Sequence, residues 1–383
     1  MKVNNNVKLV LRMINDHNYS AYIVGGAVRD YLLGKPINDY DVTTNAKPED
    51  LISIFSGYKL ITTGIKHGTV GVVVKGEVIE VTTFRKESNY SDYRRPDEVI
   101  FVNELYEDLS RRDFTINALA YDDKVIDYFD GIYDIENKII RTVGNPYIRF
   151  EEDPLRILRA LRFSAKLDFE ISYETSEAIL NTYQLLDKIS VERIMIELDK
   201  MLSEFSFSKI LDKYYQVFKY LFNFKVDKLV YNLTNNHFIN YCLFFNNVED
   251  EYLTEMLNKY KIKKSLIRKI CNVLFIYKSD IKNEFDMLML LKDFEYEEVE
   301  YGLKVKEILD NCNNINLKEF KSKIIKLKDL KVNGTHFMKL NVPKEKIGYI
   351  LDSLLVEVIK KELENEEEFL IERGLDLIGR KNI

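Results

Sequence analysis

Tyr22-Ile-Val-Gly-Gly-Ala-Val-Arg-Asp-Tyr-Leu-Leu33 is followed closely by Asn38-Asp39-Tyr40-Asp41-Val42-Thr43. The first stretch has the pattern of a short strand, a Gly-Gly turn and a helix. Free N–H groups at the helix start, approachable because Gly25 and Gly26 lack side chains, form an anion site. In the second stretch two carboxylates stand two residues apart, so on a strand both point to one face. Adjacent like charges repel, and nothing about a sheet requires them. They become favourable when Mg²⁺, a hard cation preferring oxygen, sits between them. A phosphate at Gly25 and Gly26 would complete the metal's shell. A third carboxylate is offered by Glu80 in Val78-Ile-Glu-Val-Thr-Thr83, either as a further metal-holding catalytic group or as a solvent-facing residue of an edge strand.

Around this core, residues 1–150 carry short β-branched runs at Tyr22–Val24, Thr69–Lys75, Val78–Thr83 and Val99–Val102, broken by Gly and Asn-Asp. They read as a small, largely antiparallel sheet with helices. From Glu151 the apolar spacing turns helical, with Leu155, Leu158 and Leu161 and later Ile194, Leu198 and Leu202. Residues 203–300 are dense in Tyr and Phe and lack proline, as packed helices with core aromatics would be. A last helical segment, 316–383, breaks at Val332-Asn-Gly334.

The 383 residues suit two or three domains, and 46% hydrophobic with 31% charged residues is an ordinary globular composition. No apolar run approaches the roughly 18 residues that span a bilayer. Met1 to Asn18 is interrupted by Asn, Lys, Arg and Asp, unlike a signal peptide or anchor. Three scattered cysteines (Cys242, Cys271, Cys312) make neither a disulfide framework nor a zinc pattern, and a cytoplasmic place is expected. A net charge of −6 argues against a general nucleic-acid binder, unless a basic stripe hides within it. Two such stretches exist, Lys259–Lys269 and Lys318–Lys331, as solvated helix faces or as a phosphate track for RNA. None of the four histidines reads as a metal ligand.

Taken together, the motifs resemble the class II tRNA nucleotidyltransferases (CCA-adding enzymes) of the polymerase-beta superfamily, of the bacterial type. Gly25-Gly26-Ala-Val-Arg29-Asp30 with Asp39-Tyr-Asp41 is similar to the family's first motif. Arg111-Arg112-Asp113-Phe-Thr-Ile-Asn117-Ala118 resembles the second, associated with ribose and triphosphate. Asp130-Gly131 resembles the third, at a hinge, and Glu152-Asp153-Pro-Leu-Arg156-Ile-Leu-Arg159-Ala-Leu-Arg162-Phe the fourth, the base-reading helix. Ser190-Val-Glu-Arg193 and Glu197-Leu-Asp-Lys-Met-Leu202 are similar to the neck that follows. The resemblance implies an α+β fold, with a small mixed-sheet nucleotidyltransferase head (1–150) and an all-helical neck (151–203), body (204–315) and tail (316–383). It implies Mg²⁺-dependent addition of C, C and A to the tRNA 3′ end from CTP and ATP, releasing pyrophosphate, with no membrane and no obligate protein partner. The implied metal ligands are Asp39 and Asp41, with Glu80 beside them. The implied nucleotide-binding set is Gly25, Gly26, Arg29, Arg111, Arg112, Asp113, Asn117, Asp153, Arg156, Arg159 and Arg162.

The alternative within the superfamily is poly(A) tailing or addition of A alone. Poly(A) polymerases carry a basic run after the first motif, whereas Thr63-Gly-Ile-Lys-His-Gly-Thr-Val70 resembles the tRNA enzymes. Phe84 to Pro96 fills the place of the loop that relatives adding only CC lack, and no His-Asp dipeptide marks an appended phosphohydrolase. A non-catalytic RNA-binding protein and a small-molecule nucleotidyltransferase are the rivals from other classes. The intact acidic and basic set opposes the first, and some 180 residues of helical body oppose the second.

In the fourth motif Asp153-Pro154 is also a good helix start. Arg156, Arg159 and Arg162 recur every three residues and are expected on one face, where anions would relieve their repulsion. Arg111 and Arg112 add two forks suited to phosphate, and Asp113 is free to hold Arg112 or to accept a ribose hydroxyl.

Overall fold

The computed structural model describes residues 1–88, 98–204, 206–224, 233–310 and 315–379. Most of the expected Phe84–Pro96 loop and Cys312 lie outside them. The chain divides into two compact units, Met1–Leu229 and Val230–Ile383.

In the first unit the strands are β1 (Ala21–Val24), β2 (Asp41–Thr44), β3 (Lys59–Ile61), β4 (Thr69–Val74), β5 (Glu77–Thr83), β6 (Arg85–Ser88), β7 (Glu98–Phe101), β8 (Leu119–Asp122) and β9 (Lys124–Asp127). Seven form one sheet in the order β3-β4-β5-β2-β1-β8-β9, while β6 and β7 make a separate hairpin. The Val99–Val102 run therefore does not join the main sheet. Only β2 and β5 pair parallel; the other neighbours are antiparallel, so the sheet is mixed. Alternation along β5 buries Ile79, Val81 and Thr83 and exposes Val78 and Glu80.

Helix α1 (Asn5–Asp16) buries Val7, Val10 and Ile14. After it come α2 (Gly26–Leu32), α3 (Pro48–Ile54), α4 (Leu105–Ser110) and α5 (Gly131–Glu136). Leu105 and Leu109 of α4 share a core with Val24, Phe84 and Ala120. Val24 is register-paired with both Asp41 and Ala120, so this core lies on the Asp41 face of the sheet. The unit ends with α6 (Pro146–Glu152), α7 (Leu155–Leu167), α8 (Tyr173–Thr182), α9 (Val191–Met201), α10 (Phe207–Lys213) and α11 (Tyr215–Phe222). A short parallel pair, β10 (Ile139–Ile140) with β11 (Glu170–Ile171), ties the end of the head to the turn after α7. Helices α10 and α11 lie within the head's compact unit, beyond the 203/204 boundary expected for the neck.

The second unit is helical among its described residues: α12 (His237–Phe245), α13 (Asp250–Lys259), α14 (Lys264–Lys278), α15 (Glu284–Asp293), α16 (Tyr296–Asp310), α17 (Gly334–Lys339), α18 (Lys344–Ile359) and α19 (Glu367–Asp376). Gly302 lets α16 close on α14, since a Cβ there would stand 2.4 Å from Ile276 Cγ2. Asn333 caps α17 by accepting from the Thr335 N–H, which explains the break read at Val332-Asn-Gly334. Many aromatic residues of this region and of α10 and α11 are core: Phe207, Phe218, Phe222, Phe244 and Phe245 are fully buried, whereas Tyr220, Tyr252 and Phe275 are exposed. Among the described residues no helix is long and apolar enough to cross a membrane.

Candidate active site

The site grows from the turn between β1 and α2. Gly25 takes φ 70°, a backbone region that a Cβ strains, and a Cβ there would also press on Arg112 Nη1 at 3.0 Å. Behind the turn, Arg29 is buried and donates to Asn117 Oδ1 at 2.6 Å and to Asp30 Oδ1 at 2.9 Å. Asn117 Nδ2 in turn donates to Asp113 Oδ1 at 3.2 Å. Asp113 Oδ2 accepts from Arg159 Nε at 2.7 Å. One chain of hydrogen bonds thus runs from the first motif through the second to the helix of the fourth. Burial raises the Asp113 carboxyl, but Arg159, Arg156 and the Asn117 hydrogen bond together outweigh it and leave Asp113 below its ordinary value.

Asp108, fully buried on α4, holds both arginines of the second motif. Its Oδ1 accepts from Arg111 Nε at 3.0 Å and Nη2 at 2.8 Å, and its Oδ2 lies 3.4 Å from Arg112 Nη2. Arg112 Nη1 reaches the Asn117 carbonyl at 3.5 Å, and its buried Nε has no partner among the described residues. Burial holds the Arg112 guanidinium below its ordinary value against the pull of Asp108. A buried cation with a spare donor is a place for an anion.

Asp153, just before α7, divides its carboxylate. Oδ1 accepts from the Leu155 N–H at 3.1 Å, as a helix cap does, and Oδ2 pairs with Arg193 Nη2 at 2.9 Å. Arg156 pairs with Glu152 and donates to the carbonyls of Arg149 at 3.1 Å and Arg111 at 3.2 Å. These groups line one cleft of about 500 Å³, which six arginines (Arg29, Arg111, Arg112, Arg156, Arg159, Arg193) share with three aspartates (Asp41, Asp113, Asp153). The surplus is positive, and the cleft suits a polyanion.

Asp41 enters the cleft from the first residue of β2. Desolvation raises its carboxyl above the ordinary range; Arg112 opposes this and Asp39 adds to it. Asp39 is exposed in the segment before β2 rather than on the strand. Glu80 is exposed on β5 at the position paired with Asp41 across the parallel ladder, so the two share a face. β5 lies between β4 and β2, so Glu80 is not on an edge strand.

Comparison with known proteins agrees with this geometry. The CCA-adding enzyme of Ligilactobacillus salivarius is 39% identical over 97% of this chain and 96% of its own length. That of Pediococcus pentosaceus is 38% identical, over 95% and 96%. The chain belongs to the family of CCA-adding enzymes. A solved structure of the Bacillus stearothermophilus CCA-adding enzyme in complex with CTP superposes with a TM-score of 0.78 at 31% identity, covering 98% of each chain. Family models match residues 21–141 (Poly A polymerase head domain) and 234–373 (tRNA nucleotidyltransferase domain 2). A third, "Probable RNA and SrmB- binding site of polymerase A", matches residues 168–223.

For a CCA-adding enzyme the cleft gathers most of the residues that the motifs single out. Gly25, Gly26, Arg29, Asp41, Arg111, Arg112, Asp113, Asn117, Asp153, Arg156 and Arg159 all line it, whereas Asp39, Glu80 and Arg162 do not. Arg162 departs most. Residues three apart fall about 60° short of a full helical turn, so by Arg162 the row has rotated about 120° from Arg156. There it is buried, ion-paired with Glu197 of α9 and stacked 4.2 Å from the Phe163 ring centroid. Arg162 is thus a packing residue between α7 and α9. Glu197→Ala is expected to cost about 3–5 kcal/mol by stranding this buried charge, read by denaturant unfolding, with nucleotide choice unchanged. A loss under 1 kcal/mol would put the pair on the surface in effect. Asp113, moreover, holds Arg159 and not Arg112; Asp108 takes that place. The motif reading missed Asp108 and left Arg193 in the neck motif without a role in the site. Asp108 had a visible signal, an acid three and four residues before two arginines in a helical stretch.

Proposed function

We propose that this chain completes tRNA 3′ ends by template-independent addition of C, C and A. The tRNA 3′-hydroxyl attacks the α-phosphate of CTP or ATP, and pyrophosphate leaves. The observation that carries the reading is the arginine-lined cleft with Asp41 at its rim and the spare Nε of Arg112 inside it. Arg111 and Arg112 bind the triphosphate, Asn117 and Asp113 face the ribose, and Asp153 with Arg156 reads the base. A triphosphate so held shares its cleft with Asp41.

Mg²⁺ fits the donor set. Asp39, Asp41 and Glu80 are all hard oxygen donors. Among the described residues no three acidic, His or Cys side chains form a ready-made cage. That suits Mg²⁺, which typically takes one or two carboxylates and completes its shell with substrate phosphates and water. When bound, it supplies activation of the attacking hydroxyl and charge relief at the leaving phosphate.

Lys259, Lys261, Lys263, Lys264 and Arg268 are all exposed around the corner of α13 and α14, a phosphate track for the tRNA. A cytoplasmic enzyme accords with the free thiols of Cys242 and Cys271. The head alone is common to tailing enzymes, as its family description says, while the relatives matched over the full length are CCA-adding. Incubation of tRNA lacking CCA with labelled CTP and ATP decides between them. Three added residues in the order C, C, A are expected. A ladder from ATP alone would make the chain a tailing enzyme, and a single A an A-adding one.

A further inference from the structure

We propose that Asp108 is a positioning residue that holds the triphosphate-binding arginines and the Asp41-bearing strand in one register. The proposal rests on the reading of the cleft as a nucleoside triphosphate site.

Asp108 lies on α4 between Leu105 and Leu109, which fill a core with Val24, Phe84 and Ala120. Packing alone would place an apolar side chain there, because a buried carboxylate is costly unless each lone pair is used. Here the lone pairs are used on three separate elements. Oδ1 takes Arg111 at 2.8 and 3.0 Å and the backbone N–H of Arg85, the first residue of β6, at 3.3 Å. Oδ2 takes Arg112 at 3.4 Å and the Thr43 hydroxyl at 3.3 Å. Thr43 is two residues beyond Asp41 on β2 and shares its hydroxyl proton with the Thr82 carbonyl of β5 at 3.1 Å. One carboxylate therefore touches the arginines that meet the phosphates and the strand that presents Asp41 to them.

Charge supports the same assignment. Arg111 and Arg112 are adjacent like charges, and among the described residues Asp108 is the carboxylate within ion-pair distance of Arg112. It offsets their mutual repulsion and keeps the forks from splaying. Misplacing the reacting groups by about 1 Å costs on the order of 10²-fold in rate, so the strand attachment bears on turnover and the arginine attachment on binding.

The two attachments separate in kinetics. D108N keeps the shape but turns a donor toward the arginines. It is expected to raise KM for CTP and for ATP by the same factor, tenfold or more, with discrimination against UTP and GTP unchanged. T43V keeps the Asp108 charge and should lower kcat several-fold with KM within twofold; T43S should restore it. In the D108N/T43V double variant kcat should fall no further than in T43V alone, because Thr43 and Asp108 form one link to the strand. Wild-type KM values in a folded D108N protein, or a wild-type kcat in T43V, would overturn the proposal. If D108N fails to fold, T43V alone still decides. Absence of CTP and ATP incorporation by the unaltered protein would instead refute the site itself.

Discussion

Asp41→Ala protein is expected to fold normally and to add no nucleotide, with incorporation down by at least about 10³-fold, on the order of a lost transition-state charge partner. The two halves of this expectation have one physical origin. Desolvation and the neighbouring Asp39 raise the Asp41 carboxyl, and Arg112 opposes them. A carboxyl whose folded value lies above its unfolded one weakens folding once the pH exceeds both. Its removal from the first, exposed residue of β2 should leave the unfolding midpoint unchanged or slightly higher. Incorporation of labelled CTP into trimmed tRNA, run beside thermal unfolding, measures both. Near-normal turnover by the folded variant would remove Asp41 from the reaction.

The second large effect concerns base choice. On the Watson–Crick edge, C and A both offer an amino donor beside a ring-nitrogen acceptor; U and G offer a carbonyl acceptor beside an N–H donor. A fixed carboxylate beside a fixed guanidinium complements the first pair and opposes the second. Asp153 is fixed by the Leu155 N–H and by Arg193, and Arg156 by Glu152 and two carbonyls, while both line the cleft. A site built on buried hydrogen bonds can reject a wrongly patterned partner by roughly 10⁴-fold. Asp153→Asn and Arg156→Ala should therefore lower the overall rate and raise the use of UTP or GTP relative to CTP and ATP. Single-turnover incorporation with each of the four triphosphates reads this directly. Unchanged ratios in both variants would leave Asp153 as the cap of α7 and nothing more.

What the sequence by itself determined is local. Strand, Gly-Gly turn and helix at 22–33 follow from short-range backbone preferences, and so do β5 and the capped helix after Asp153. Glycine at 25 is demanded by its φ, and the alternation of β5 sends Glu80 and Ile79 to opposite faces. Eleven of the residues read from the motifs meet in one cleft. Tertiary structure decided the partners. Asp39 falls short of the strand because β2 begins at Asp41, where pairing with β1 and β5 begins. Arg162 leaves the row of arginines because a three-residue spacing drifts around the helix and α9 offers Glu197 on that side. Arg193 reaches Asp153 across 40 residues of chain, and Asp113 chooses Arg159 across 46. No spacing rule announces such pairs, since a carboxylate pairs with the guanidinium that packing brings beside it.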